Sequence, residues 1–171
     1  MPGVLFPPCS EVPVPTGAGY SILLVLHVAA AVVGFGALLL TGVQAARAAR
    51  GPSAPGAEGV RRYFRPGINW AGRLLYAVPV LGFVLVADSD RAFTAGDGFV
   101  VAGLVLWLVA AGIAEAVVWP AERRIQVLVT ERWGDPDTGV LLARDCRRVV
   151  VAATALGVVF LAAVVVMVGK P

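Results

Sequence analysis

Residues 22–40 form an apolar run broken only by His27, and the stretches 74–87, 98–118 and 149–168 are nearly as apolar. A chain that must shelter four such runs has few architectures open to it. Crossing a bilayer takes about 20 mostly apolar residues at about 1.5 Å each. In lipid, every backbone N–H and C=O also needs a partner within the protein. A helix finds those partners along its own length, whereas an open sheet does not. With 58% of its 171 residues hydrophobic, the chain exceeds what a water-soluble domain of this size carries. The expectation is an all-α fold, a four-transmembrane-helix bundle with helices at about 21–43, 68–87, 98–119 and 149–168, forming one membrane domain over 21–168. The second run is short unless residues 68–72 continue it past Arg73, which sets that arginine just inside the helix end.

The charges orient the bundle. Arg47, Arg50, Arg61, Arg62 and Arg65 lie between the first two runs, and Arg123, Arg124, Arg132, Arg144, Arg147 and Arg148 between the last two. The other side carries only Arg91 and Lys170. The positive-inside tendency puts both basic connections in the cytoplasm and both termini outside, with 1–20 and 169–171 as extracytoplasmic tails. The net charge of +3 records this asymmetry. Arginines that flank crossings have a sufficient role at the lipid surface. No zinc-finger spacing, base-reading module or P-loop accompanies them, so membrane lipids are expected partners and nucleic acid is not. Residues 1–19 lack the basic start of a signal peptide, and Pro2, Pro7, Pro8, Pro13 and Pro15 favour an extended tail. Cys9 and Cys146 fall on opposite sides, which is incompatible with an intrachain disulfide.

Two polar features stand inside the apolar runs. Ala31 and Gly34 lie four and seven residues beyond His27, on the same helical face. Small residues let helices approach, so the imidazole is expected to face the bundle. Two readings stay open: a neutral histidine bonded to a neighbouring helix, or a ligand or proton-transfer group with Asp88, Asp90 or Met167 as companions. Haem or copper suits the second reading; neither is assigned, the metal is unknown, and bis-histidine haem would need a second subunit. The other feature is a charge pair. Arg73 near the start of the second helix and Glu115 near the end of the third fall at similar depths, and pairing would reduce the cost of burying either. Asn69, Arg73 and Tyr76 share a helical face, so with Glu115 they form a predicted polar cluster, with Trp70 packed beside it. An inter-helix clamp is the expected role, ahead of transport or catalysis. Alternatively, Arg73 snorkels to phosphate headgroups and leaves Glu115 to titrate or to meet another subunit.

The connections have their own signals. Residues 51–59 read as a flexible linker and Pro66-Gly67 as a turn, with Tyr63 and Trp70 as interfacial anchors. Residues 121–132 either extend the third helix or form a short amphipathic surface helix, and 134–139 read as a turn. Pro79 and Gly82 are expected to bend the second helix.

The His27 helix, the segment Arg65-Pro66-Gly67-x-Asn69-Trp70-Ala71-x-Arg73-x-Leu75-Tyr76-x-Val78-Pro79 and the Trp119-Pro120-x-x-Arg123 end of the third helix together resemble a bacterial family of four-helix integral membrane proteins without an assigned function, over roughly residues 21–168. In architecture the chain is more distantly similar to CopD-like copper-resistance membrane proteins. The first resemblance implies a multi-pass protein of the bacterial cytoplasmic (inner) membrane. The second implies copper handling, to be met here by one histidine, two cysteines and two methionines. The expected function is a non-catalytic accessory or assembly subunit of a membrane or respiratory complex, with a membrane-protein partner or an oligomer. The alternative is a small redox, haem- or copper-handling, or transport protein. No catalytic residue is assigned, and an enzymatic role is not expected.

Overall fold

The computed structural model describes residues 17–90 and 92–169. The expectations placed on residues 1–16, Cys9 among them, and on Arg91, Lys170 and Pro171 lie outside the described residues. The described residues form helices α1 (Ala18–Ala48), α2 (Ala57–Tyr63), α3 (Trp70–Ala87), α4 (Gly98–Glu131) and α5 (Pro136–Val168), with no strand among them. A 3-10 turn at Leu74–Tyr76 interrupts α3, and a π turn at Ala114–Val118 interrupts α4. All except α2 are long and apolar enough to cross a membrane, giving the all-α, four-span class.

Three helices outrun the apolar segments that announce them. At about 1.5 Å per residue, α1, α4 and α5 reach about 46–51 Å, against a hydrocarbon thickness of about 30 Å. Each end has a local cause. Asn69 Oδ1 accepts the Gly72 N–H at 3.2 Å, an N-cap bond that starts α3 at Trp70 rather than at 68. Asn69 therefore stands before the helix, not on its face. The Asp135 side chain accepts the Asp137 N–H at 3.1 Å, and Pro136 takes the first helical position, where its missing N–H costs nothing. The turn expected over 134–139 is thus confined to Gly134, at φ +99°, and its neighbours, because helix begins at Pro136. Pro120 has no N–H for the carbonyl of residue 116, and the π turn just before it lets the helix run past that interruption. Residues 121–131 accordingly continue the third helix, burying Ala121, Ile125 and Val129.

Helix α1 is the hub, with α3 on one side and α5 on another, and α5 in turn packs on α4. Gly34 makes the first contact: a Cβ there would lie 2.8 Å from the Leu75 backbone nitrogen. Gly42 makes the second, where a Cβ would overlap that of Ala153. The Phe35 and Phe160 rings, 5.0 Å apart, extend the α1–α5 contact. The best-buried side chains, including Leu38, Leu75, Val118, Ile125 and Val149, belong to the half that carries the basic connections. In the other half, Ile22, Val25, Val158, Leu161 and Val165 remain exposed, as lipid-facing side chains do in a membrane bundle.

Helices α3 and α4 meet through side chains rather than close backbone packing. Pro79 cannot offer an N–H to the carbonyl four residues earlier, that of Leu75. Trp107 of α4 donates its Nε1–H to that oxygen at 2.8 Å. The proline thus creates the acceptor that ties two helices together. Trp107→Phe should cost about 1–3 kcal/mol by orphaning a carbonyl away from water. Pro79→Ala restores the missing N–H, so the cost of W107F should shrink in a P79A background. Thermal unfolding of the parent and the three variants in detergent measures this coupling, and an equal cost in both backgrounds would refute it.

Candidate functional site

The polar side chains gather where α3 meets α4. The Arg73 guanidinium carbon lies 3.5 Å from the centroid of the Trp119 ring, a cation–π contact. Its Nη1 is 3.7 Å from Glu115 Oε1, with 24% of the Arg73 side chain and 58% of the Glu115 side chain exposed. The Tyr76 hydroxyl donates to the same Glu115 oxygen. The Tyr76 ring also packs against Trp107 and Trp119, with centroids 6.3 and 5.8 Å apart. Arg73, Tyr76 and Glu115 thus come together as a clamp between two helices. Trp70, expected beside them, is 73% exposed. The Asn69 cap makes Trp70 the first residue of α3, where it turns outward, and Trp119 fills the place instead.

Asn69 belongs to a second network, deeper in the basic half. Its Nδ2 lies 3.4 Å from Thr41 Oγ1 and 3.5 Å from both Tyr63 OH and Glu122 Oε1. Thr41 gives its one hydroxyl proton to the Ala37 carbonyl at 2.9 Å. Tyr63 is therefore the donor in the 2.7 Å bond between the two hydroxyls. Burial pushes the Tyr63 phenol above its ordinary range, the negative field of Glu122 adds to the rise, and the bonds to Thr41 and Asn69 oppose it. The phenol consequently holds its proton at neutral pH. Four segments, α1, α2, the cap of α3 and α4, are joined by these side chains, and Gln126 adds a bond to the Gly67 carbonyl at 3.2 Å.

Glu122 is the residue that the sequence reading missed. It is 6% exposed, and among the described residues it has no salt bridge. Arg73 and Arg123 supply the positive field around it. No local signal pointed to it, because the π turn at Ala114–Val118 breaks the seven-residue register with Glu115 and the adjacent Arg123 and Arg124 read as a solvated face. Thr41 and the inward turn of the Tyr63 hydroxyl towards it were also missed. A separate clamp joins α4 to α5, where Arg124 donates to both oxygens of the buried Asp145 at 2.9 and 3.1 Å.

His27 lies apart from these networks. It is half-buried between α1 and α3, where a Cβ on Gly82 would sit 3.3 Å from its Cε1. Its Nδ1 is buried, and the Val78 backbone of α3 lies beside the ring. The proposed companions are elsewhere: Asp88 and Asp90 are exposed beyond the end of α3, and the Met167 methyl faces Gly103 of α4. No three His, Cys, Asp or Glu side chains gather into a ligand set among the described residues. Among the described residues, the imidazole packs against Gly82 of the neighbouring helix with no such ligand set around it.

Asn69 can be tested by separating its two roles. Asn69→Ala should cost about 1–2 kcal/mol through the lost cap. Asn69→Asp keeps a capping oxygen but sets a second carboxylate against Glu122, which raises the folded-state pKa of one of the two. N69D should therefore be destabilised at pH 8 and regain stability as the pH falls towards 5, whereas the N69A deficit should be nearly unchanged. Unfolding of both variants in detergent at the two pH values decides this. An N69D protein as stable as the parent at pH 8 would contradict the proximity of Asn69 to the Glu122 carboxyl.

No protein family, curated protein or solved structure matches the chain. Neither resemblance read from the sequence finds support in these comparisons.

Proposed function

We propose that the chain is a non-catalytic accessory or assembly subunit of a complex in the bacterial cytoplasmic (inner) membrane. Its termini are extracytoplasmic, and a membrane-protein partner packs on the open half of the α3–α4 seam. The use of the ionisable groups supports this reading most. Arg73 with Glu115, and Arg124 with Asp145, bond across pairs of helices instead of lining an enclosed cavity. Such groups hold a scaffold in register at one end. Towards the other end, α3 exposes Val80, Phe83 and Val84, and α4 exposes Val101, Val105 and Leu108. Helices associate in lipid through packing rather than water exclusion, and a seam closed only at one end gives a further transmembrane helix two surfaces to pack against.

A second reading, a small transport component, draws on Glu122, buried and without a salt bridge among the described residues, and on His27 inside the first crossing. Ionisable groups within a membrane protein commonly mark ion or substrate paths. That reading requires a flux in sealed vesicles that E122Q abolishes, and a parent protein without flux ends it.

The assembly reading makes two predictions. A photoreactive residue at position 80 or 105 in intact membranes should capture one defined membrane protein, and the same residue at position 158, on the far side of the bundle, should not. Lipid adducts alone, or equal capture at all three positions, would contradict the proposed docking face. For the orientation, a C-terminal alkaline phosphatase fusion should be active and a C-terminal green fluorescent protein fusion dark. The reverse pattern would invert the topology.

A further inference from the structure

On α5, Arg144, Arg147 and Arg148 share one face, and Val151 and Ala155 continue it into the uncharged run. With Ile113 and Val117 of α4 they line an open groove of about 740 Å³ on the outside of the bundle. Its two ends differ in chemistry. Arg148 is partly compensated by Asp145 at 3.7 Å, and Asp145 is also held by Arg124 at 2.9 Å. Arg144 and Arg147 are exposed and have no salt bridge among the described residues. The arginines stop where the uncharged run 149–168 begins, so the cationic end lies at headgroup depth and the apolar end within the hydrocarbon.

We propose that this groove binds an anionic phospholipid, its phosphate held by Arg144 and Arg147 and one acyl chain lying along Ile113, Val117, Val151 and Ala155. Charge complementarity selects that occupant. A guanidinium pairs well with phosphate oxygens, and basic pockets between membrane helices bind acidic headgroups. A zwitterionic lipid brings its own cation to the arginines. Soluble phosphate leaves the apolar half uncovered, and an apolar helix leaves the guanidiniums unpaired. The site depends on the four-span fold and not on the identity of any protein partner.

Native mass spectrometry of the full chain in detergent, titrated with phosphatidylglycerol and with phosphatidylcholine of the same acyl chains, tests the site. The first phosphatidylglycerol should bind about thirtyfold more tightly, about fivefold for each free arginine. R144Q/R147Q should bring its affinity down to that of phosphatidylcholine, whereas R47Q/R50Q, which removes the same charge from the end of α1, should retain the preference. Val151→Trp fills the apolar half and should also remove the bound lipid, and millimolar inorganic phosphate should not displace it from the parent protein. Circular dichroism checks that each variant keeps its helices. Equal affinity for the two lipids, equal losses in the two arginine variants, or displacement by inorganic phosphate would each overturn the proposal.

Discussion

The close approach of α1 to two neighbours is the constraint on which the rest of the bundle depends. Gly34 admits the Leu75 backbone of α3, and Gly42 admits Ala153 of α5. Eight residues separate the two glycines, a turn of about 80° around the helix after whole turns are removed, so the contacts fall on different faces. With α1 between α3 and α5, and α4 packed on α5, the remaining edge lies between α3 and α4. That edge has no comparable small-residue contact. Larger and more polar side chains close it, which explains why the charges and aromatic rings inside the crossings concentrate there.

The closure has two parts with different physics. Pro79 leaves the Leu75 carbonyl without its helical donor, and the Trp107 indole supplies one. Nearby, Arg73 lies over the face of Trp119 and beside Glu115, while Tyr76 bonds to the same carboxylate. An ion pair within a crossing is weak evidence for stability, since desolvation offsets much of the attraction, but it penalises any register that separates the charges. A clamp of this kind holds α3 against α4 at the basic end and leaves the other end free. The same logic applies to Arg124 and Asp145, which fix α4 against α5 beside the arginine-lined groove.

The crossings were legible because run length and the absence of charge are local properties. Their true ends were not. Hydropathy falls at the arginine-rich flanks, yet α5 keeps a buried stripe of Leu142, Asp145, Cys146 and Val149 through that region, and α4 keeps Ile125 and Val129. Helix continues wherever one face remains packed, even after the opposite face has become charged. The contact of Arg73 with Glu115 could be anticipated from depth alone. The exchange of Trp70 for Trp119 could not, because it turns on a single N-cap bond that sets where α3 begins. Glu122 was hidden by its setting among Arg123, Arg124 and Glu131, where a charged residue reads as part of a solvated face. Its burial depends on α2 and the Asn69 cap folding over it, and no local pattern announces that packing.

The central claim is that the polar residues of the α3–α4 seam hold a scaffold together and do not perform chemistry. Replacing the charged pair by apolar residues of similar length, Arg73→Met with Glu115→Met, tests it most directly, with the size of the complex in native membranes as the readout and thermal unfolding as the control. The account predicts a double variant within about 1 kcal/mol of the parent in stability, as apolar replacements of ion pairs often are, and still present in a complex of the same size. A double variant that folds with parental stability but no longer enters that complex would contradict it.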